Sequence, residues 1–334
     1  DMSHSNISVF VPHAGCPHQC SFCNQKTISG QQYAPKAEDV HRVCRQALRE
    51  ISDRKNTEIA FFGGSFTAIE REYMISLLDA AKEYLGNGGF KGIRISTRPD
   101  FIDDEILDIL RNYGVTSIEL GAQSMVNKVL EANERGHSAE DVYRASRLIR
   151  EYGFELGLQM MVGLYKSTPK DESDTIDKII EISPDTVRIY PVVVLEGTKL
   201  AKLYKSGEYR LFPFKEAVEI CAAALLKFEH EKIRVIKCGL HASDGVEGDM
   251  VAGFYHPAFK ELCESLIYLW MMQEASAYET PENGRYVFAV NPSCISKALG
   301  HKKSNAIYFK EKFGIDIKVV GDKNMSRYQC EIRG

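Results

Sequence analysis

The sequence predicts an α/β protein: a parallel sheet with helices outside it, followed by a small C-terminal α+β subdomain. Two observations predict this. Short apolar runs alternate with amphipathic stretches through the first 230 residues, and that rhythm changes after about residue 238. Strand–helix alternation is the signature of a parallel sheet covered by helices. The candidate strands are 7–11, 58–62, 92–96, 117–120, 155–161 and 186–190. Between them, 37–52, 70–85, 102–113, 138–152 and 172–182 are amphipathic, and a further helix is expected over 214–230. Six βα units are too few for a closed eightfold barrel. Residues 239–253 are rich in Gly, Asp and Ser and are expected to form a loop. An apolar helix near 257–275, a strand near 285–290, a helix near 292–313 and a strand near 315–320 complete the appendage. The expected division is therefore 1–238 and 239–334.

The bulk properties set bounds. A chain of 334 residues has room for one large domain and a small one, and 44% hydrophobic residues can build a substantial core. The net charge of −4 excludes a generic polyanion binder. The charge is uneven: residues 280–334 carry 10 Lys+Arg against 5 Asp+Glu, and the remainder carries 32 against 41. A basic end on an acidic body suggests an anionic partner, or ordinary surface variation. Nine cysteines without a signal peptide point to a reducing compartment, so the expected location is cytoplasmic. Cys44, Cys221, Cys238, Cys263, Cys294 and Cys330 are scattered, and most are expected to be buried small hydrophobes. No apolar run reaches membrane-spanning length. Asp1, which precedes Met2, reads as a residue left over from expression.

The chemistry starts at Cys16, Cys20 and Cys23, spaced C-x3-C-x2-C in the loop after the first strand. A [4Fe–4S] cluster normally takes four thiolates, so three close ones leave one iron open to bind a small molecule. A zinc site completed by His13 and His18 is the rival, but structural zinc favours paired C-x2-C units. A disulfide would strand one of the three. Phe22 lies between the second and third cysteines, and Pro12 and Gly15 shape the loop. The later strands end in Phe62-Gly63-Gly64-Ser65, Ser96-Thr97-Arg98-Pro99-Asp100, Gly121-Ala122-Gln123 and Gln159-Met160-Met161-Val162-Gly163-Leu164. Arg135 stands twelve residues after Gln123, in Asn133-Glu134-Arg135-Gly136-His137.

This layout resembles the radical S-adenosylmethionine (SAM) superfamily. The resemblance implies a partial (β/α)6 TIM-like barrel whose chemistry sits at the C-terminal strand ends, where every motif above falls. It also implies a [4Fe–4S] cluster on Cys16, Cys20 and Cys23, with SAM on the open iron. Phe22 would pack near adenine, and the Gly63–Ser65 segment would meet the SAM amino group. Ser96 stands where relatives often carry an acid facing the ribose. Gln123 and Arg135 would hold ribose and carboxylate, the latter by a charge-assisted contact. Gln159 would reach SAM or substrate. A flavodoxin- or ferredoxin-like donor would supply one electron, and a 5′-deoxyadenosyl radical would take hydrogen from the substrate. The phrases Asn133–Val142, Met160–Leu164 and Arg188–Leu200 narrow the likeness to the radical SAM domain of the Elongator catalytic subunit, a tRNA uridine-modifying family. Oxygen-independent coproporphyrinogen III oxidases are more distant. The chain stops before an acetyltransferase domain could follow, so the complete Elongator-type reaction is not expected from it alone.

Near the C-terminus, Gly300-His301-Lys302-Lys303 is a degenerate version of the G-x-x-G loop of a KH module, which clamps a nucleic-acid backbone. Lys297, Lys302, Lys303 and Lys310 are candidate phosphate contacts; a barrel cap with exposed lysines is the plainer reading. Lys237–Gly245 is expected to be a loop over the opening, with Cys238 either a hydrogen donor or simply buried. Three functions stay open: a radical SAM enzyme on RNA or tRNA, one on a small metabolite, tetrapyrrole or peptide, and an RNA-binding protein with a structural cluster.

Overall fold

The computed structural model describes residues 5–12, 20–23, 34–241 and 247–333. Its main body is an open, curled sheet of seven parallel strands. In chain order these are β1 (Ser5–Val11), β2 (Thr57–Gly63), β3 (Gly92–Thr97), β4 (Val115–Gln123), β5 (Glu155–Val162), β6 (Thr186–Pro191) and, after a short β7 (Val193–Leu195), β8 (Arg234–Cys238). They pair in the order β1-β2-β3-β4-β5-β6-β8. The connecting helices are α1 (Ala37–Glu50), α2 (Arg71–Lys82), α3 (Asp104–Asn112), α4 (Asn127–Ala132), α5 (Ala139–Glu151), α6 (Pro169–Ile182), α7 (Lys199–Lys205) and α8 (Phe214–His230). Local chemistry fixes where several begin. Ser138 and Thr168 cap α5 and α6 through reciprocal boxes with Asp141 and Asp171. Pro169 stands in the first turn of α6, where its missing N–H costs nothing.

All six expected strands form, and the sheet adds a seventh. Residues 234–238 pair with β6 in parallel, so Lys237 and Cys238 belong to a strand and not to the closing loop. The expected loop 239–253 also holds a strand, β9 (Met250–Gly253), antiparallel to β7. Both segments are short and flanked by polar residues, so their apolar signal is weak.

The outward faces of the strands and the covering helices form one apolar core. The lumen face is different. Arg94 on β3, 1% exposed, sits among Glu58, Glu119 and Glu155 from β2, β4 and β5. Its Nε lies 3.1 Å from Glu58 and its Nη2 2.8 Å from Glu155. Ser117 and Thr116 donate to the other Glu58 oxygen at 2.8 and 3.0 Å. Burial pushes the Glu58 carboxyl upward, but Arg94 and the two hydroxyls outweigh it and hold the group below its usual range. This ionic floor closes the lower end of the lumen.

The appendage begins with α9 (Phe259–Ser276), packed on α8. Then come β10 (Arg285–Val290), α10 (Ile295–Leu299), α11 (Ser304–Phe313), β11 (Asp316–Gly321) and β12 (Glu331–Ile332). β10 runs parallel to β11 and antiparallel to β12. The single helix expected over 292–313 is broken at Gly300, whose φ of 91° ends α10. Lys302 and Lys303 follow in left-handed backbone at φ 53° and 60°. The core runs without interruption into this region through Tyr286, Phe288 and Phe309. Among the described residues, no helix is long and apolar enough to cross a membrane.

Candidate functional site

A cavity of about 590 Å³ opens at the C-terminal ends of the strands and descends into the lumen. It brings together every described residue that the sequence assigned to the cluster and SAM. Cys20, Phe22, Cys23, Gly63, Gly64, Ser65, Ser96, Gln123, Arg135 and Gln159 all line it. Cys16, His13 and His18 lie outside the described residues. Among those described, no three His, Cys, Asp or Glu side chains converge as a metal site; Cys20 and Cys23 are the two members of the triad in view.

The segment carrying these two cysteines is fastened by the residue after Cys20. Ser21 is 1% exposed, donates its hydroxyl to Asn133 Oδ1 at 2.7 Å and its N–H to the Asn133 carbonyl at 3.1 Å. Its own carbonyl accepts from Leu200 N–H at 3.0 Å. Cys20 is consequently buried at 6% exposure, facing two guanidinium groups. Arg135 Nη1 lies 3.3 Å from its Sγ and Arg98 Nη1 3.9 Å. Arg98 is itself buried and held by Asp100 and by the Arg135 carbonyl. Two cations at one sulfur suit a thiolate or a negatively charged cluster.

Arg135 also donates through Nη2 to the Gly121 carbonyl at 2.8 Å. Gly121 makes room for it, since a Cβ there would meet Nη2 at 2.8 Å. Arg135 Nε is buried with no hydrogen-bond partner among the described residues. A buried donor on a cation calls for an acceptor, which the described residues do not supply. His137, two residues on, is buried and its imidazole is pushed down to about 3, by desolvation first and then by Arg135 and Arg98. It stays neutral and donates its Nε2–H to the Ala122 carbonyl, 3.1 Å away.

The remaining site residues are set by strand ends. Gly63 has φ 118°, and a Cβ there would run into the Phe10 ring and lie 2.7 Å from the Val11 carbonyl oxygen. Only glycine takes that backbone with that neighbour. Gln123 closes β4 at φ 64°, an unusual conformation for a side-chain-bearing residue, beside a register shift in the β4–β5 pairing. Gln159 Nε2 lies 3.4 Å from Gln123 Oε1. Ser65 lines the cavity, but its hydroxyl contacts Thr97 Oγ1 at 2.7 Å and accepts from Arg98 N–H at 3.1 Å, tying the ends of β2 and β3. Ser96 pairs in register with Glu119, whose carboxylate is committed to Arg188 and Arg94.

Arg98, Glu119, Arg188, Tyr190 and Lys237 also line the cavity and were not singled out from the sequence. A signal existed: in the buried run Val187-Arg188-Ile189-Tyr190, polar residues alternate with apolar ones, as on a strand with one wet face. Cys238 is buried beside the Cys221 and Cys263 thiols, which accords with the buried reading.

The C-terminal lysines do not converge on this cavity. Lys297 pairs with the buried Glu264 at 3.1 Å and Lys310 with Asp316 at 3.2 Å, so these two are engaged within the fold. Lys302 and Lys303 are exposed and form no ion pair among the described residues.

Comparison with known proteins agrees with this geometry. A family model described as "Radical SAM superfamily" matches residues 10–179, and "Radical_SAM C-terminal domain" matches 184–268. A tRNA uridine(34) acetyltransferase of Methanocaldococcus jannaschii is 30% identical over 260 residues, covering 65% of this chain and 48% of that protein. Human Elongator complex protein 3 is 28% identical over 215 residues, covering 58% and 39%. The solved structure of Methanocaldococcus infernus Elp3, lacking residues 1–46, superposes with a TM-score of 0.63 at 23% identity, covering 82% of this chain and 64% of that one. The chain spans about half the length, or less, of these two curated relatives.

Proposed function

We propose, for a chain that belongs to the radical SAM superfamily, that it uses a [4Fe–4S] cluster and S-adenosylmethionine to begin radical chemistry on RNA, with tRNA the leading substrate. The observation that carries this reading is Arg135: buried, directed at Cys20 Sγ, and left with an Nε donor that no group among the described residues satisfies. When bound, the cluster and SAM supply a carbon radical able to take a hydrogen atom from a substrate.

In this reading Cys16, Cys20 and Cys23 are the cluster thiolates. Arg98 and Arg135 stabilise negative charge on the sulfurs, and the Arg135 guanidinium receives the SAM carboxylate. The backbone of Gly63-Gly64 approaches the SAM amino group, Gln123 and Ser96 the ribose, and Phe22 the adenine. Gln159 borders both SAM and substrate. The lumen walls exclude water, with the Arg94 floor beneath. A flavodoxin- or ferredoxin-like protein delivers the electron.

The RNA assignment draws on the likeness to a tRNA uridine(34) acetyltransferase and on the basic C-terminal end. We assign 239–334 as a KH-like substrate-binding subdomain in which Lys302 and Lys303, exposed beside Gly300, touch phosphates.

The test is anaerobic reconstitution followed by dithionite. The expected products are methionine and 5′-deoxyadenosine. Their absence, with intact cluster and bound SAM, overturns the radical reading. Substrate class is tested separately by tRNA titration across salt. Failure to bind at low salt moves the assignment to a small metabolite, tetrapyrrole or peptide.

A further inference from the structure

Arg98 stands out in the cavity because its burial is costly. It is 2% exposed, and a guanidinium taken out of water needs partners that offset the loss. It has them in three directions. Nε and Nη2 meet the two Asp100 carboxylate oxygens at 3.0 and 3.2 Å, as a bidentate pair does. Nη2 also reaches the Arg135 carbonyl, and Nη1 lies 3.9 Å from Cys20 Sγ. Other groups hold the local backbone. Thr97 Oγ1 contacts Ser65 Oγ at 2.7 Å, Thr67 Oγ1 donates to the Phe101 carbonyl at 2.8 Å, and the Arg98 N–H donates to Ser65 Oγ at 3.1 Å. From α5, Arg144 donates to the Ile102 and Pro99 carbonyls at 2.8 and 3.3 Å. A turn pinned from both sides thus delivers the Arg98 side chain to the sulfur.

The charge that Arg98 brings is divided between Asp100 and the sulfur, not cancelled. The Asp100 side chain is 22% exposed, so solvent screens it, whereas the contact between Arg98 and Cys20 is buried. Arg98 is also felt at His137, where it adds to desolvation and to Arg135 in keeping the imidazole neutral. The two cations at Cys20 therefore differ. Arg135 is the one assigned to the SAM carboxylate, while Arg98 carries a carboxylate of its own from two residues along the chain.

We propose that Arg98 and Asp100 act as a pair that sets the reduction potential at the cysteine triad: Arg98 favours the electron-rich state by placing positive charge at Cys20 Sγ, and Asp100 limits how far. This rests on the cluster reading given above. The potential of an iron–sulfur group responds to net charge and to hydrogen bonds at its sulfurs, and Arg98 supplies both. One electron, from dithionite in the test or from a low-potential electron carrier protein in the cell, adds one negative charge. A cation beside the sulfur stabilises that product more than the starting state, and a carboxylate behind the cation does the reverse. Arg98 is a positioning residue in this role: it acts through Cys20 and takes no part in making or breaking bonds.

The experiment reads a potential rather than an activity. Wild-type, Arg98→Met, Arg98→Lys and Asp100→Asn proteins are reconstituted anaerobically and assayed for iron and sulfide. Each is then titrated with dithionite and redox mediators, without SAM, and the reduced fraction is read by electron paramagnetic resonance. Arg98→Met is expected to make reduction at least tenfold harder, which moves the midpoint of a one-electron couple about 59 mV more negative. Arg98→Lys should move it less, because the charge stays. Asp100→Asn should move it in the positive direction. That opposite sign separates the proposal from a structural role, since damage to the pair from either side would then act alike. A shift smaller than tenfold in Arg98→Met, equal shifts in Arg98→Met and Arg98→Lys, or a negative shift in Asp100→Asn overturns it. Asp100 is partly exposed, so its variant carries the test where Arg98→Met fails to fold or to load iron. A wild-type protein that takes up no four-iron cluster overturns the underlying reading instead, so the two failures are distinct.

Discussion

Replacing Arg94 with Met should change both the size and the pH dependence of stability. Arg94 is 1% exposed, with carboxylates of Glu58, Glu155 and Glu119 at 3.1, 2.8 and 3.4 Å. Methionine fills much of the volume but leaves Glu58, also 1% exposed, as an uncompensated buried charge. Breaking a buried pair by removing one partner costs about 3–5 kcal/mol. With an m-value of about 3 kcal/mol/M, urea midpoints should fall by about 1 M or more. The pH signature is sharper. In the wild type Glu58 is held below its unfolded value of 4.5, so its contribution is present above that pH and lost as pH falls. In the variant burial is opposed only by the two hydroxyls and the charge of Lys91. The carboxyl is expected to rise above 4.5, and stability should then be lost as pH increases through the raised value. Urea unfolding of the metal-free protein at pH 5 and pH 7.5 should show Arg94→Met losing clearly more stability than the wild type as pH rises. A cost below about 1 kcal/mol, with the pH slope unchanged, refutes the claim that the floor is an electrostatic unit.

Three further outcomes follow from particular contacts. Gly63→Ala puts a Cβ into Phe10 and 2.7 Å from the Val11 carbonyl oxygen at a φ of 118°; it should cost about 1–3 kcal/mol in thermal unfolding and weaken SAM binding in equilibrium dialysis. Glu172, 3% exposed, is pushed up to about 7 by burial, against hydrogen bonds from Ser167 and Gly163. A raised carboxyl stabilises below its unfolded value of 4.5 and loses that contribution as pH rises through about 7, so Glu172→Gln should flatten the fall in melting temperature between pH 6 and 8. The double change Lys302→Ala/Lys303→Ala should lower the slope of log affinity for tRNA against log salt by about 1.4–1.8, at roughly 0.7–0.9 per phosphate contact, and leave the melting temperature within a degree or two.

The alternation of apolar and amphipathic runs placed six of the seven barrel strands, because strands buried by helices must be apolar on the outward face. β8 escaped notice since Arg234 and Lys237 break its apolar character, and Lys237 lines a wet lumen whose existence only the curled sheet reveals. The helix over 292–313 was misread at Gly300, a residue a helix tolerates but which here takes a positive φ. On the site side, Gly63, Gln123 and Arg135 were singled out through the family resemblance, and all three line the cavity. Arg98 was not, although it sits in the quoted Ser96–Asp100 segment, because its contact with Cys20 spans 78 residues. Glu119, Arg188 and Lys237 come from three different strands and meet only through register, which no local pattern encodes. Lys297 looked like a surface lysine until Glu264 was found beneath it.

The three bonds of Ser21 carry a lesson about maturation. This residue anchors the cysteine segment to Asn133, just after α4, and to Leu200 in α7, partners 112 and 179 positions away in the chain. Zinc fingers gather their ligands and fold around the ion in a single event. Here the cysteine-bearing peptide takes its seat from two helical segments that the fold must first bring together. For the cluster proposed above, the barrel would be the jig and the metal the late insert, and an iron-donating factor would meet a nearly finished protein rather than a nascent one.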